Sequence, residues 1–189
     1  MEPARCAWVN LKNPTLVKYH DEEWSHPCHD DQKLYELFIL ECFQAGLSWE
    51  CVLNKRENFR KAYDGFCIDK IVAYDDRKVE ELLTDPGIIR NRLKVKASIK
   101  NSLVFQRIQA EYGSFDQYIW SFTGGKSIRE VYTLRPSSPL SDSVSKDLKK
   151  RGMCFVGTVT IYAYLQAIGV LDAHAEQCFC CSKGENHAV

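Results

Sequence analysis

A glutamate in the middle of an apolar helix constrains this chain more than any other feature. Leu34, Leu37, Phe38, Glu41 and Ala45 recur at spacings of three and four, which puts them on one helical stripe. Ile39, Leu40, Cys42 and Phe43 leave the opposite side nearly as apolar, so a helix over about 31–45 is expected to be enclosed on all sides. An ionised Glu41 there must gain a partner or take up a proton. The competing expectation is a structural carboxylate paired with a buried arginine or a helix N-terminus. Gly46 supplies a left-handed stop, and Ser48 can cap the next helix, which starts at Trp49. Glu41 and Trp49 therefore flank a tight helix–helix corner and are candidates to line one pocket.

At 189 residues the chain fits one domain, or one domain whose two lobes share a core. A hydrophobic fraction of 45% is ordinary for a globular protein. No apolar run approaches the ~18 residues that span a bilayer, and no basic-then-apolar segment opens the chain. A cytoplasmic protein with no membrane contact is the expectation. Zero net charge excludes a protein coated in basic residues, so any nucleic-acid contact must be a local patch. Nine cysteines are many, but Cys42, Cys51, Cys67 and Cys154 sit in apolar helical patterns. Reduced core thiols plus a metal site explain them better than disulfides do.

Residues 1–30 read as irregular, punctuated by Pro3, Pro14 and Pro27, with Trp8, Tyr19 and Trp24 between. Such a segment needs something to pin it. Cys6 and His20 are candidate pins; His174 and Cys178, four apart, face one way on a helical turn. Together they form a Cys₂His₂ set suited to tetrahedral zinc, with Cys180, Cys181, His26 and His29 as rivals. Four protein ligands leave no open position, so the site would be structural.

A helix over about 49–62 should bury Cys51, Val52, Leu53, Phe59 and Ala62 and leave Lys55, Arg56, Arg60 and Lys61 solvated. Short helices follow at 68–74 and 77–84. Asp85-Pro86-Gly87 then turns into a helix whose apolar positions are Ile88, Val95, Ile99 and Leu103. Arg90 and Arg92 fall in its first turn, where the macrodipole disfavours cations unless an anion binds there. Behind a Pro-Gly turn, that placement favours a phosphate contact. Ser114 and Gln117 form a capping box for a helix over about 115–122. Gly124-Gly125-Lys126-Ser127 is not a phosphate-binding loop, because Trp120 occupies the position of the required first glycine. Residues 135–141 read as a loop, followed by helices over about 142–151 and 158–168. No alternating strand is apparent, and an all-α fold is expected.

Read together, LECFQAGLSW (40–49), YHDEEW (19–24), DPGIIRNRLKVK (85–96), KKRGMCFVGT (149–158) and HAEQC (174–178) resemble DNA-3-methyladenine glycosylase I, a helix-hairpin-helix family of base-excision enzymes. The resemblance runs from Cys6 to about Phe179, and several motifs in order are more specific than any one. It implies an all-α helix-hairpin-helix fold in which the terminal segments (about 1–47 and 151–189) form a zinc lobe and about 48–150 a hairpin lobe. It implies Cys6, His20, His174 and Cys178 as structural zinc ligands. It implies Glu41 as the catalytic-site carboxylate, Tyr19, Trp49, Trp8 and Trp24 around the excised base, and Leu16 where a relative carries a second pocket tyrosine. Gly87, Ile89, Arg90, Arg92 and Lys94 would hold the DNA backbone. The implied partners are double-stranded DNA with alkylated bases and the product 3-methyladenine, bound by a monomer.

Departures from the family pattern are Leu16, Cys42 and Ser25 (the latter two at glycine positions), and Ala173 at an acidic one. Many helix-hairpin-helix glycosylases place an aspartate beyond the hairpin, but none occurs here between Asp85 and Asp116, and only Glu111 could substitute. The position of the nucleophilic lysine of strand-cleaving relatives is Asn91. Monofunctional excision leaving an abasic site is therefore expected. Two readings compete: a non-catalytic zinc-containing DNA-binding protein of the same fold, detuned by Leu16, and a zinc-held interaction module without a nucleic-acid role.

Overall fold

The computed structural model describes residues 3–130 and 135–181. Its described residues form ten α-helices: α1 Pro14–Glu22, α2 Asp31–Gln44, α3 Trp49–Leu53, α4 Arg56–Ala62, α5 Ile68–Ile71, α6 Asp76–Thr84, α7 Arg92–Tyr112, α8 Phe115–Ser121, α9 Pro139–Lys150 and α10 Thr158–Ala167. The all-α expectation holds, with one addition: Ile128–Arg129 and Leu171–Asp172 pair as a two-residue parallel ribbon.

Helix α2 is the hub, packing on α3, α7, α8 and α10. Residues from Leu34 through Phe43 are all buried, charged ones included. Asp30 caps it by accepting from Lys33 N at 2.9 Å. Asp31 serves another helix, accepting from Phe115 N and Asp116 N at the start of α8. Gly46 ends the corner with φ 79°, and the Ser48 side chain caps α3.

Several expectations change. The N-terminal segment is not irregular throughout, since Asn13 caps α1 and Pro14 occupies its first turn, where a missing N–H costs nothing. The helix expected over 49–62 breaks at Asn54–Lys55. Arg56 is not solvated. It is buried, holding Glu36 and, through two bonds of 2.9 and 2.8 Å, Glu23, while Arg60 also reaches Glu36. Pro139, expected in a loop, opens α9 behind a Ser138–Ser141 capping box.

After α10 the chain turns at Gly169, whose φ is 73° and whose added Cβ would lie 2.3 Å from the His26 carbonyl carbon. Because the obstacle is backbone, it cannot rotate away. Gly169→Ala is expected to cost roughly 2–3 kcal/mol, a fall in Tm of about 5–10 °C, measured by thermal unfolding. An unchanged Tm would contradict this packing.

Candidate active site

The pocket is a cavity of about 180 Å³ lined by Trp8, Tyr19, Trp24, Glu41, Gln44, Trp49, Ala163 and Gln166. Helix α1 brings Tyr19, α2 brings Glu41 and Gln44, α3 begins with Trp49, and α10 closes the wall. The Tyr19 and Trp49 rings lie 5.2 Å apart, and those of Trp8 and Trp24 4.9 Å apart. The sequence expectation thus brings Glu41, Tyr19, Trp49, Trp8 and Trp24 to one place. Leu16 is buried in α1 but does not line this cavity. Gln44, Ala163 and Gln166 were not anticipated. Gln44 had a local signal, one helical turn beyond Glu41, whereas the α10 residues are remote in sequence.

Glu41 is 4% exposed and carries no ion pair among the described residues, and burial alone pushes its carboxyl up to about 8. The buried arginine that would have made it structural is spent on Glu36 and Glu23. Glu41 Oε2, Trp8 Nε1 and Trp49 Nε1 are buried without a hydrogen-bond partner among the described residues. An orphaned polar atom costs about 1–3 kcal/mol. Three orphans around one cavity mark a surface shaped for a ligand rather than for stability.

Beside the pocket, Cys6, His20, His174 and Cys178 converge, all buried, with their donor atoms within 4.8 Å of one another. The Nδ1 of His174 lies 3.7 Å from each thiol, and the Cys178 Sγ lies 3.5 Å from His20 Nε2. A tetrahedral ion with bonds of ~2.3 Å to sulfur and ~2.0 Å to nitrogen has sulfur–nitrogen edges of about 3.6 Å. Those separations fit a metal. Burial lowers both histidines, His174 to about 4, keeping the imidazoles neutral as a metal requires. The Asp21 carboxylate, gripped by Arg5, bonds His20 Nδ1 at 2.7 Å and fixes its tautomer. Trp8 and Trp24 pack on His20 and His174, so the two histidines of this group back one wall of the pocket.

The departures at Ser25 and Ala173 are accommodated together. Ser25 has φ 61°, a conformation that favours glycine. Its hydroxyl compensates by donating to the Leu171 carbonyl and accepting from Ala173 N. Asp172, one residue earlier than the family's acidic position, accepts from His174 N. Cys42, in place of a glycine, lies 3.5 Å from the Asn101 amide nitrogen.

The hairpin segment needs a larger correction. α7 begins at Arg92, capped by Asn91, so Arg90 lies in the preceding turn. Gly87 fits where a Cβ would meet Asp85 and Asn58 at 2.9–3.0 Å. Gly87, Ile89, Arg90 and Arg92 remain at or near the surface, with Arg92 paired to Glu80. Lys94 does not. It is buried, and its Nζ donates to the Phe43 and Ala45 carbonyls, so it drops out of the phosphate-facing set. Glu111 is held by Arg151, and Glu41 is the one carboxylate among the residues lining the pocket. No helix among the described residues is long and apolar enough to cross a membrane.

Comparison with known proteins places these features. DNA-3-methyladenine glycosylase 1 of Escherichia coli K12 is 41% identical over 187 residues, spanning 95% of this chain and 97% of that protein. A crystal structure of 3-methyladenine DNA glycosylase I superposes with a TM-score of 0.90 at 40% identity, covering 95% of this chain and all of that one. A tyrosine-to-phenylalanine variant of such an enzyme, crystallised with 3-methyladenine, superposes with a TM-score of 0.87 at 32% identity over 92% of this chain and 95% of that one. The methyladenine glycosylase family model matches residues 8–181, and this chain belongs to that family.

Proposed function

We propose that this protein is a monofunctional DNA glycosylase that excises 3-methyladenine from alkylated double-stranded DNA. The observation that carries the reading is a buried carboxylate without a counter-ion, walled by Tyr19, Trp49, Trp8 and Trp24. Methylation at N3 makes adenine cationic, so the base can leave as a neutral molecule and needs little acid assistance. The pocket's task is to prefer that cation over neutral purines. Aromatic faces favour a cation by ~0.5–2 kcal/mol each. The Glu41 carboxylate adds charge attraction and accepts from the exocyclic amine. The target base must leave the stack to reach these groups, which favours bases that already pair poorly.

In the balanced step, water adds its oxygen to the sugar C1′, the C1′–N9 bond breaks with both electrons going to the base, and a proton is released. Glu41 binds and selects in this scheme; no second carboxylate lines the cavity to activate the water. Two observations support the absence of a lyase step. Asn91 occupies the expected nucleophile position as a helix cap, and no lysine lines the pocket.

Gly87, Ile89, Arg90 and Arg92 are assigned to the DNA backbone. Cys6, His20, His174 and Cys178 are assigned to a structural zinc, which would hold the terminal segments together and supply no reactive position. The test is release of free 3-methyladenine from methylated duplex, with intact abasic product and no borohydride-trapped adduct. Binding without release would restore the non-catalytic reading, and a trapped adduct would end the monofunctional one.

A further inference from the structure

We infer that Lys94 is a positioning residue for base excision, fastening the corner that carries Glu41, Gln44 and Trp49 to the first turn of the DNA-facing helix α7. Its Nζ donates to Phe43 O at 2.8 Å and to Ala45 O at 2.6 Å. Both carbonyls belong to the end of α2, where a helix leaves acceptors unpaired and its dipole is negative. One buried ammonium supplies both missing donors and the complementary charge. Phe43 and Ala45 flank the pocket residue Gln44, and the chain needs only Gly46–Ser48 to reach Trp49.

A third contact completes the socket. The Phe155 ring lies 6.0 Å from the lysine nitrogen, and Phe155 has φ 56°, a region that bulky residues avoid. Its neighbours are held on both sides. Asn101, buried on α7, accepts from Cys154 N at 2.8 Å and donates to Cys154 O at 2.9 Å. Ser145 donates to Val156 O at 2.6 Å. A strained aromatic fixed by two buried side chains beside a buried cation is an over-determined arrangement. It joins α7, α9 and the end of α2 at one point. Lys94 sits two residues beyond Arg92, so a phosphate-induced shift of the hairpin is transmitted to the pocket wall. The action is geometrical, since burial alone sets the Glu41 carboxyl.

The inference rests on the proposed excision activity, and the test keeps the two apart. Lys94→Met is compared with the unaltered protein in single-turnover excision, in undamaged-duplex affinity across a salt series, and in amide hydrogen exchange at residues 45–49. The expected result is a 10–100-fold lower excision rate and at least tenfold faster exchange at 45–49. Duplex affinity should stay within twofold with the same salt slope, and the pH midpoint of excision should not move. Lys94→Arg, which keeps the charge, should recover at least threefold of the lost rate.

A salt slope shallower by about one would make Lys94 a phosphate contact and overturn the inference, as would an unchanged rate. If Lys94→Met does not fold, Phe155→Leu is read on the same axes, and a wild-type rate there overturns it. Should the unaltered protein release no base, the function fails, while exchange at 45–49 still decides whether Lys94 holds the corner.

Discussion

Cys178→Ser is expected to lower the Tm by about 10–20 °C, and chelation of the unaltered protein should bring its melting down to match. Losing a structural metal is among the few single changes that cost roughly 4–5 kcal/mol. At this chain length each kcal/mol is worth about 2–4 °C. Cys6 and His20 meet His174 and Cys178 in one buried group that could hold a metal, so without an ion the two ends would keep only weaker contacts such as the hydrogen bond from Phe179 N to Ala4 O. The loss should not stay local. Trp8 and Trp24 rest on His20 and His174, so base binding should weaken in step with melting. Metal analysis with differential scanning calorimetry, with and without chelator, is the measurement. Coincident melting of metal-loaded and chelated protein would remove the metal from the account.

Glu41→Gln should have opposite effects on chemistry and on stability. Excision of 3-methyladenine is expected to fall by roughly 10²–10³-fold, the range seen when a preorganised electrostatic group is removed. Stability should rise, and more so in alkali. Burial pushes the folded carboxyl up to about 8 from an ordinary 4.5. Below the lower value both states are protonated and the group costs nothing. As pH climbs from there to about 8, the unfolded chain releases its proton while the native one keeps it. Native stability therefore falls across that window and levels off above it. The full penalty is on the order of 4–5 kcal/mol, and the amide variant escapes it.

The same titration shapes catalysis. The methylated base is cationic at every working pH, so kcat/KM should rise about tenfold per pH unit up to about 8 and then flatten, whereas the Glu41→Gln variant should give a flat profile throughout. Denaturant unfolding and excision kinetics at pH 5 to 9 test both halves. A stability gain that does not grow with pH, or a flat profile in the unaltered enzyme, would show Glu41 to be charged before the base arrives.

Local chemistry was readable from the residues alone. The enclosed helix, the Gly46 stop and the Ser48 cap follow from spacing and side-chain type, whereas Cys6, His20, His174 and Cys178 are singled out from rival cysteines and histidines by the family resemblance; the structure has each of these features. Helix α1 carried a usable signal in Asn13-Pro14, obscured by three prolines read as breakers. What could not be read depended on distant partners. Arg56 and Arg60 look solvated until Glu36 is placed against them across a helix pair. Lys94 looks like one more surface lysine until the end of α2 arrives beneath it. Ala163 and Gln166 enter the pocket only because α10 packs on α2. Charge is ambiguous in this way because a long cationic side chain has the same local pattern in solvent and in a socket.

The contact between Cys6 and His174, 168 positions apart, also bears on how the enzyme is made. Trp8, Trp24 and His20 can pack on one another early, but His174 backs that wall only after its distant segment has been made. A nascent polypeptide therefore carries Glu41 and the hairpin for most of its synthesis without a finished cavity. Long-range closure of this kind is slow, and it means that the cavity waits for α10 and the segment around His174 to be made and docked.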